Sequence, residues 1–261
     1  MSELYVNIDH VATLREARKT NEPNPMEIIK LIENTEVAGI TTHLREDRRH
    51  IQDHDINDIN YFIQDSRLGF TFEMAASEEI RKILLKSKAN MATLVPEKRE
   101  EVTTEGGLDV LNQKEKLTEF IKPIKDKGIQ VSCFVDPVLT QIEASKEVGA
   151  ELVEIHTGNY ANLFITYQYQ TDKKQKEGYF QLLKNEVDKI NQSVIYARGI
   201  GLKVNMGHGL TTKNLHMLMK VRNIHQYHIG HSLISNALFY GIEAICDKYL
   251  DIIAPKVETV S

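Results

Sequence analysis

The sequence predicts an α/β protein, a single (β/α)8 barrel of the TIM type, on three observations. Eight short β-rich runs alternate with longer amphipathic runs, which implies parallel strands joined by right-handed crossovers. The chain has 261 residues and 41% hydrophobic content, the size of one such barrel. No low-complexity segment or linker interrupts it, so residues 1–261 are read as one domain, with a loose tail at 254–261.

The strands are expected at LYVNID (4–9), GITTHL (39–44), FTFEM (70–74), MATLV (91–95), IQVSCFV (129–135), ELVEIH (151–156), LKVNM (202–206) and QYHIG (226–230). Each is short and rich in β-branched or aromatic residues. The spacing predicts helices between them. Residues 25–38 follow Asn24 and begin with Pro25, a sound helix start. Residues 77–88 begin with Ser77 as a cap and acids in the first turn. Residues 137–149 and 211–221 read as helices in the same way. Extra short helices are expected around the barrel. Two stretches break the pattern and are expected as long loops: 96–112 after strand four and 157–174 after strand six.

Composition narrows the class of function. The formal charge of -5 and a pI near 6.1 argue against a general nucleic-acid binder. Cys133 and Cys246 are far apart and in no CxxC pattern, which points to a reducing compartment without disulfides. Cys133 reads as a buried strand residue. The first ten residues lack an apolar signal region. No apolar run approaches the ~20 residues of a membrane span. The expectation is a soluble cytoplasmic protein that engages neither nucleic acid nor membrane.

In a barrel the chemistry sits where strands end. Strand one ends in Asn7, Asp9 and His10; strand two in His43 and Arg45. Glu73 lies in strand three. Strand four runs into Pro96-Glu97-Lys98-Arg99, and strand five ends at Asp136. Strand six carries Glu154 and His156. Strand seven ends at Asn205 and Gly207-His208-Gly209, and strand eight at Gly230-His231. His10, His43, His50, His156, His208 and His231 therefore gather on one rim. The stretch HLREDRRH (43–50) would lie over the mouth, its arginines gripping a phosphate or carboxylate and its histidines moving protons. The alternative for Arg48 and Arg49 is a solvated loop.

Glu73 sits among apolar neighbours, which would raise its pKa and suit it to acid–base work; the alternative is an ion pair with a rim arginine. Glu154, between Val153 and Ile155, invites the same two readings. The glycines flanking His208 and preceding His231 let backbone N–H groups approach a phosphate, or simply make tight turns. Neither HxH nor HExxH spacing occurs, so no metal site is read. Lys203 could form a Schiff base, as barrel aldolases do, or only pack. Tyr167 and Tyr169 read as loop packing.

The stretches VNIDHVATLREAR (6–18), GITTHLREDRRHI (39–51), LVPEKREEVTTEGGLDV (94–110), VEIHTGNYA (153–161), GLKVNMGHGLT (201–211) and IGHSLI (229–234) together resemble the pyridoxine 5'-phosphate synthase family. The resemblance implies a (β/α)8 barrel, a homo-octamer, and a transferase-class enzyme with no metal or organic cofactor. Its substrates would be 1-deoxy-D-xylulose 5-phosphate and 3-amino-2-oxopropyl phosphate. Ring closure would release phosphate and water. It further implies that His43 and Glu73 accept protons, His208 donates one, and Glu154 stabilises a transition state. Asp9, His10, Arg45, His50 and Thr103 would hold the deoxyxylulose phosphate. Asn7, Arg18, Gly209, Gly230 and His231 would hold the aminoketone phosphate. Loop 96–112 would be the lid. Three features depart from the family pattern: Met206, Ser232 and a longer segment 162–180. The rival readings are a Lys203 aldolase and a non-catalytic barrel that binds a phosphorylated ligand.

Overall fold

The computed structural model describes residues 2–97 and 106–255. Its eight strands are β1 (Glu3–Asn7), β2 (Gly39–His43), β3 (Gly69–Met74), β4 (Met91–Leu94), β5 (Gln130–Val135), β6 (Leu152–His156), β7 (Lys203–Gly207) and β8 (Gln226–Ile229). They pair in parallel and in chain order, and β8 returns to β1 to close the barrel. Every expected strand is present within two residues of its expected bounds. Closure leaves no unpaired edge.

Period-two alternation divides each strand between two environments. Leu4, Val6, Ile40, Phe70, Phe72, Val131, Val153, Ile155 and Val204 point outward and are buried beneath the helices. Their neighbours in sequence point into the barrel. Thr41, Thr71, Thr93, Ser132, Asn205, Gln226 and His228 are all buried there. Such interiors are commonly filled by branched apolar side chains; this one is polar. Its floor is a single aromatic ring. A Cβ at Gly39 would lie 2.3 Å from Tyr5 Cε1, and one at Gly69 would lie 2.2 Å from Tyr5 Oη. Those two glycines make room for Tyr5, which stacks on His228 with ring centroids 5.2 Å apart.

The helices depart more from expectation. Asn24 caps Pro25–Ile32 as expected, accepting the Met26 N–H at 2.9 Å, but this helix ends six residues early. Ser77 precedes Glu78–Leu84 without capping it; its hydroxyl donates instead to Glu46 Oε1. Residues 211–221 supply only the short helix Leu215–Leu218. The expected loop 157–174 is mostly helix: Gly158–Tyr169 forms an antiparallel pair with the 27-residue helix Lys173–Gly199. Only Gly158, Tyr160 and Ala161 of the first are buried, so it shows no apolar stripe in sequence. Its outer part is held by the second helix, with Tyr167 against Phe180 at 5.3 Å and Lys176 over Tyr167.

Helices Asp9–Arg18, Asp53–Ile63, Lys114–Asp126, Leu139–Glu147 and Ile242–Ile253 complete the jacket, with His231–Tyr240 following β8. Met206 and Ser232 have structural explanations. Met206 is fully buried on the outer face of β7, and Ser232 Oγ accepts the Tyr249 hydroxyl at 2.9 Å. Residues 98–105 of the expected lid and residues 256–261, most of the expected tail, lie outside the described residues.

Candidate active site

The C-terminal ends of the strands gather the expected groups. At the end of β1, Asp9 donates its backbone N–H to Asn7 Oδ1, and Asn7 Nδ2 donates to Asp9 Oδ2, both at 3.0 Å. Asn7 Nδ2 also lies 3.5 Å from Glu73 Oε2. Asp9 is buried, and its Oδ1 accepts the backbone N–H of His43 at 2.9 Å. One carboxylate thus fixes the ends of β1 and β2 against each other. The six rim histidines form three pairs in contact: His10 with His231 at 5.0 Å, His43 with His50 at 6.0 Å, and His156 with His208 at 4.9 Å between ring centroids.

Two carboxylates occupy the centre. Register places Glu73 beside His43 and Thr93, and Glu154 beside Phe134 and Asn205. Glu73, Glu154 and the His228 ring bring one oxygen or nitrogen each within 4.8 Å of one another. Glu154 is buried, and its Oε2 has no hydrogen-bond partner among the described residues. A Cβ at Gly207 would lie 2.0 Å from Glu154 Oε1, so only glycine lets this carboxyl reach the axis. Burial pushes the Glu154 carboxyl up to about 8. Burial, and then the charges of Glu154 and Asp9, raise Glu73 well above the carboxylate range. Near neutral pH the Glu154 carboxyl holds a proton that an exposed one would have lost. Among the described residues the polar group nearest to the Glu73 carboxyl is the Asn7 amide.

His228 lies beneath them, one nitrogen 2.8 Å from Thr41 Oγ1 and the other 3.3 Å from both Gln226 Oε1 and Asn205 Nδ2. Burial pushes it down to about 3, so it stays neutral. Two carboxyls and an imidazole this close are a possible ligand set for a cation. The ring's nitrogens, however, are both already engaged with the lumen.

On one side of the mouth His43 Nε2 lies 2.7 Å from Glu97 Oε1. On the other, His156 Nδ1 lies 2.8 Å from Asp136 Oδ1, while Asp136 Oδ2 accepts the Gly107 N–H at 3.1 Å. The His156 Nε2 is buried without a partner, beside His208. His208 has a positive φ of 76°, as does Gly209 at 73°, so the turn after β7 throws the imidazole over the barrel. Thr157 holds that turn by donating to the carbonyls of Gly207 and His208. Burial, then the neighbouring His156, His231 and His10, lower His208 to about 4.

The phosphate-binding assignments are met unevenly. Arg45 is buried and reaches Asp47 at 3.3 Å. Arg48 pairs with Asp53 and Glu79, and Arg49 with Asp47. Those last two arginines fit the bland reading of a surface loop. His50 is lowered by burial first and lies over His43. Gly230 packs on Asn7, where a Cβ would come within 3.0 Å. Arg18 is exposed in the last turn of its helix and makes no ion pair among the described residues. Thr103 lies outside them.

Sequence reasoning gave no role to Glu97, Asp136 or His156, and passed over His228. The first three were marked only by their place at strand ends; the last alternates with Gln226 and Gly230, so it shares their inward face. The sequence also missed Arg15, whose buried guanidinium binds Asp55 at 2.6 and 2.8 Å and the His50 carbonyl at 3.2 Å. That pairing anchors the loop 44–52 to two helices.

Lys203 is corrected by the structure. It is the first residue of β7, exposed, and paired in register with Leu152 at the opposite end of the barrel from Glu73. It cannot meet a substrate at the mouth. Cys133 is fully buried, and burial pushes its thiol up to about 12.

Fold and site together define a (β/α)8 barrel with two carboxyls at the centre of its mouth and imidazoles around them. The chain belongs to the family described as pyridoxal phosphate biosynthesis protein PdxJ, whose model matches residues 4–255. Among its relatives, the pyridoxine 5'-phosphate synthase of Sulfurihydrogenibium sp. is 46% identical over 96% of this chain and 97% of its own. That of Aquifex aeolicus is also 46% identical, over 96% and 98%. Solved structures at low identity share the fold alone. The tryptophan synthase A-subunit of Pyrococcus furiosus has a TM-score of 0.59 at 10% identity, covering 97% of this chain and 96% of that one. The YdjI aldolase of Escherichia coli has a TM-score of 0.57 at 10% identity, covering 97% and 92%. Among the described residues no helix is long and apolar enough to cross a membrane.

Proposed function

We propose that this chain is a pyridoxine 5'-phosphate synthase, a transferase-class enzyme of vitamin B6 synthesis. It would condense 1-deoxy-D-xylulose 5-phosphate with 3-amino-2-oxopropyl phosphate and release phosphate and water. The observation that carries the reading is the central pair Glu73 and Glu154, within reach of each other and both raised by burial, in a chain of this family.

The chemistry matches the groups. The aminoketone brings its own amine, so imine formation needs no enzyme lysine. Proton transfers, loss of water, loss of phosphate and an aldol-type closure must follow. These steps call for acids and bases on several sides of one pocket, poised near neutral pH. Glu73 and His43 take protons, Glu154 stabilises charge that develops at the axis, and His208 donates. Asn7, Asp9, His10, Arg45, His50, Gly209, Gly230 and His231 surround the two phosphorylated substrates, with Thr103 and Arg18 as further anion contacts. Segment 96–112 closes the site against water. The working form is a cytoplasmic homo-octamer.

The test is turnover of chelator-treated protein with both substrates, following pyridoxine 5'-phosphate and free phosphate together. Equal formation of the two, lost in Glu73→Gln, supports the synthase. Turnover that needs an added divalent cation would reassign Glu73, Glu154 and His228 as metal ligands. Binding of both substrates without product would leave a phosphate-ligand-binding barrel.

A further inference from the structure

We propose that Glu97 orients the base His43, and that the nitrogen of His43 taking the substrate proton is Nδ1. The inference rests on the functional reading above. It starts from a buried contact between residues 54 apart in sequence: Glu97 Oε1 lies 2.7 Å from His43 Nε2, with side chains 6% and 8% exposed. The second oxygen, Oε2, accepts the Glu46 backbone N–H at 3.2 Å. Both carboxylate oxygens are therefore held.

Burial alone would push Glu97 upward. The His43 hydrogen bond and charge, the Glu46 N–H and the Arg45 guanidinium outweigh it and hold the carboxyl below its ordinary range. An ionised carboxylate only accepts, so the His43 nitrogen facing it must carry a hydrogen. In a neutral imidazole the lone pair then belongs to Nδ1. That atom makes no hydrogen bond among the described residues. The ring is buried and its Nε2 is held by Glu97, so it has little freedom to turn.

The proton step follows from this geometry. A substrate C–H or N–H bond breaks, its electron pair stays on the substrate, and the proton bonds to Nδ1. The resulting imidazolium keeps Nε2–H on Glu97, whose charge offsets the new positive charge. Return of the proton from Nδ1 to a later intermediate restores the starting state. Glu97 touches no reacting atom and is a positioning residue, in the manner of a carboxylate behind a catalytic imidazole.

The experiment is ¹⁵N NMR of the His43 ring in ligand-free protein, combined with steady-state kinetics of Glu97→Gln and Glu97→Asp. The wild-type ring is expected with hydrogen on Nε2 and a bare Nδ1. In Glu97→Gln the amide can donate to Nε2, which moves the hydrogen to Nδ1 and blocks the base. The expected result is a fall in kcat of about a hundredfold or more, little change in KM, and an acid limb of kcat/KM moved to lower pH. Glu97→Asp should recover part of kcat. Hydrogen on Nδ1 in the wild type overturns the proposal. So does a folded Glu97→Gln variant with wild-type kcat and pH profile, which would leave Glu97 as a loop tie only. The ring spectrum needs no turnover: the expected tautomer in protein that makes no pyridoxine 5'-phosphate would sink the functional reading and leave the orientation standing.

Discussion

The same eight strands carry two unlike faces. Outward, they present Val, Ile, Leu and Phe to the helices, and those side chains are fully buried. Inward, they present Thr, Ser, Asn, Gln, His and Glu to the barrel axis, buried except for the half-buried Glu73 at the mouth. Several inward atoms have no hydrogen-bond partner among the described residues: Thr71 Oγ1, Thr93 Oγ1, Ser132 Oγ, Asn205 Oδ1 and Glu154 Oε2. Buried polar atoms without partners destabilise a fold. The outward face therefore supplies stability and the inward face spends some of it on chemistry. Substitutions on the two faces should fail in opposite ways.

The largest contrast is expected between Glu73→Gln and Phe72→Ala, adjacent residues on opposite faces of β3. Glu73→Gln removes a raised carboxyl and should lower kcat by roughly 10²–10⁴-fold, with a melting temperature unchanged or higher. Phe72→Ala opens a cavity under the helices and should destabilise by about 3–5 kcal/mol, while the surviving folded enzyme keeps its kcat. Denaturant titration and initial rates on both variants check the pair. A Glu73→Gln protein that is active but unstable would break the comparison.

The pH dependence of stability sharpens it next. The Glu154 carboxyl is raised from 4.5 to about 8, so the folded state binds more protons than the unfolded chain between those values. Its contribution is then fully present below pH 4.5 and lost as pH rises towards about 8. His208 runs the other way on the acid side. It is lowered from 6.5 to about 4, so stability falls as pH drops from 6.5 through about 4. Melting curves should show Glu154→Gln gaining on the wild type as pH rises to about 8. A His208→Gln variant should gain on it as pH falls towards about 4. Equal melting shifts at every pH would show that neither group titrates differently on folding.

How much of this division could be read beforehand depends on the kind of signal. The strands were legible because each is a compact β-rich run, and the rim histidines followed from where those runs end. Glu73 stood out because a carboxylate among Phe70, Phe72 and Met74 breaks an apolar pattern. The partners of the imidazoles were not legible: Glu97 and His43 are 54 residues apart, and only closure of the barrel brings them together. Helix Gly158–Tyr169 is hidden from the sequence because its outer part packs on a neighbouring helix rather than on the barrel. For Lys203, one strand's alternation does not say which end of the barrel a residue occupies; the pairing with Leu152 does.

The smallest effect tests whether the inward face sacrifices stability residue by residue. Thr93 Oγ1 is buried with no protein partner, and Thr93 pairs in register with Glu73 and Ser132. Thr93→Val keeps the shape and deletes the hydroxyl. If that hydroxyl carries an unmet desolvation cost, the variant should be neutral or stabilised by up to about 1 kcal/mol. A loss of about 1 kcal/mol or more would mean that the hydroxyl is satisfied by ordered water, which buried polar groups often bind. The polar lumen would then be a hydrated network supporting Glu73 and Glu154. The two cases separate in kinetics as well: an unsatisfied hydroxyl can be removed without touching kcat, whereas a network member cannot.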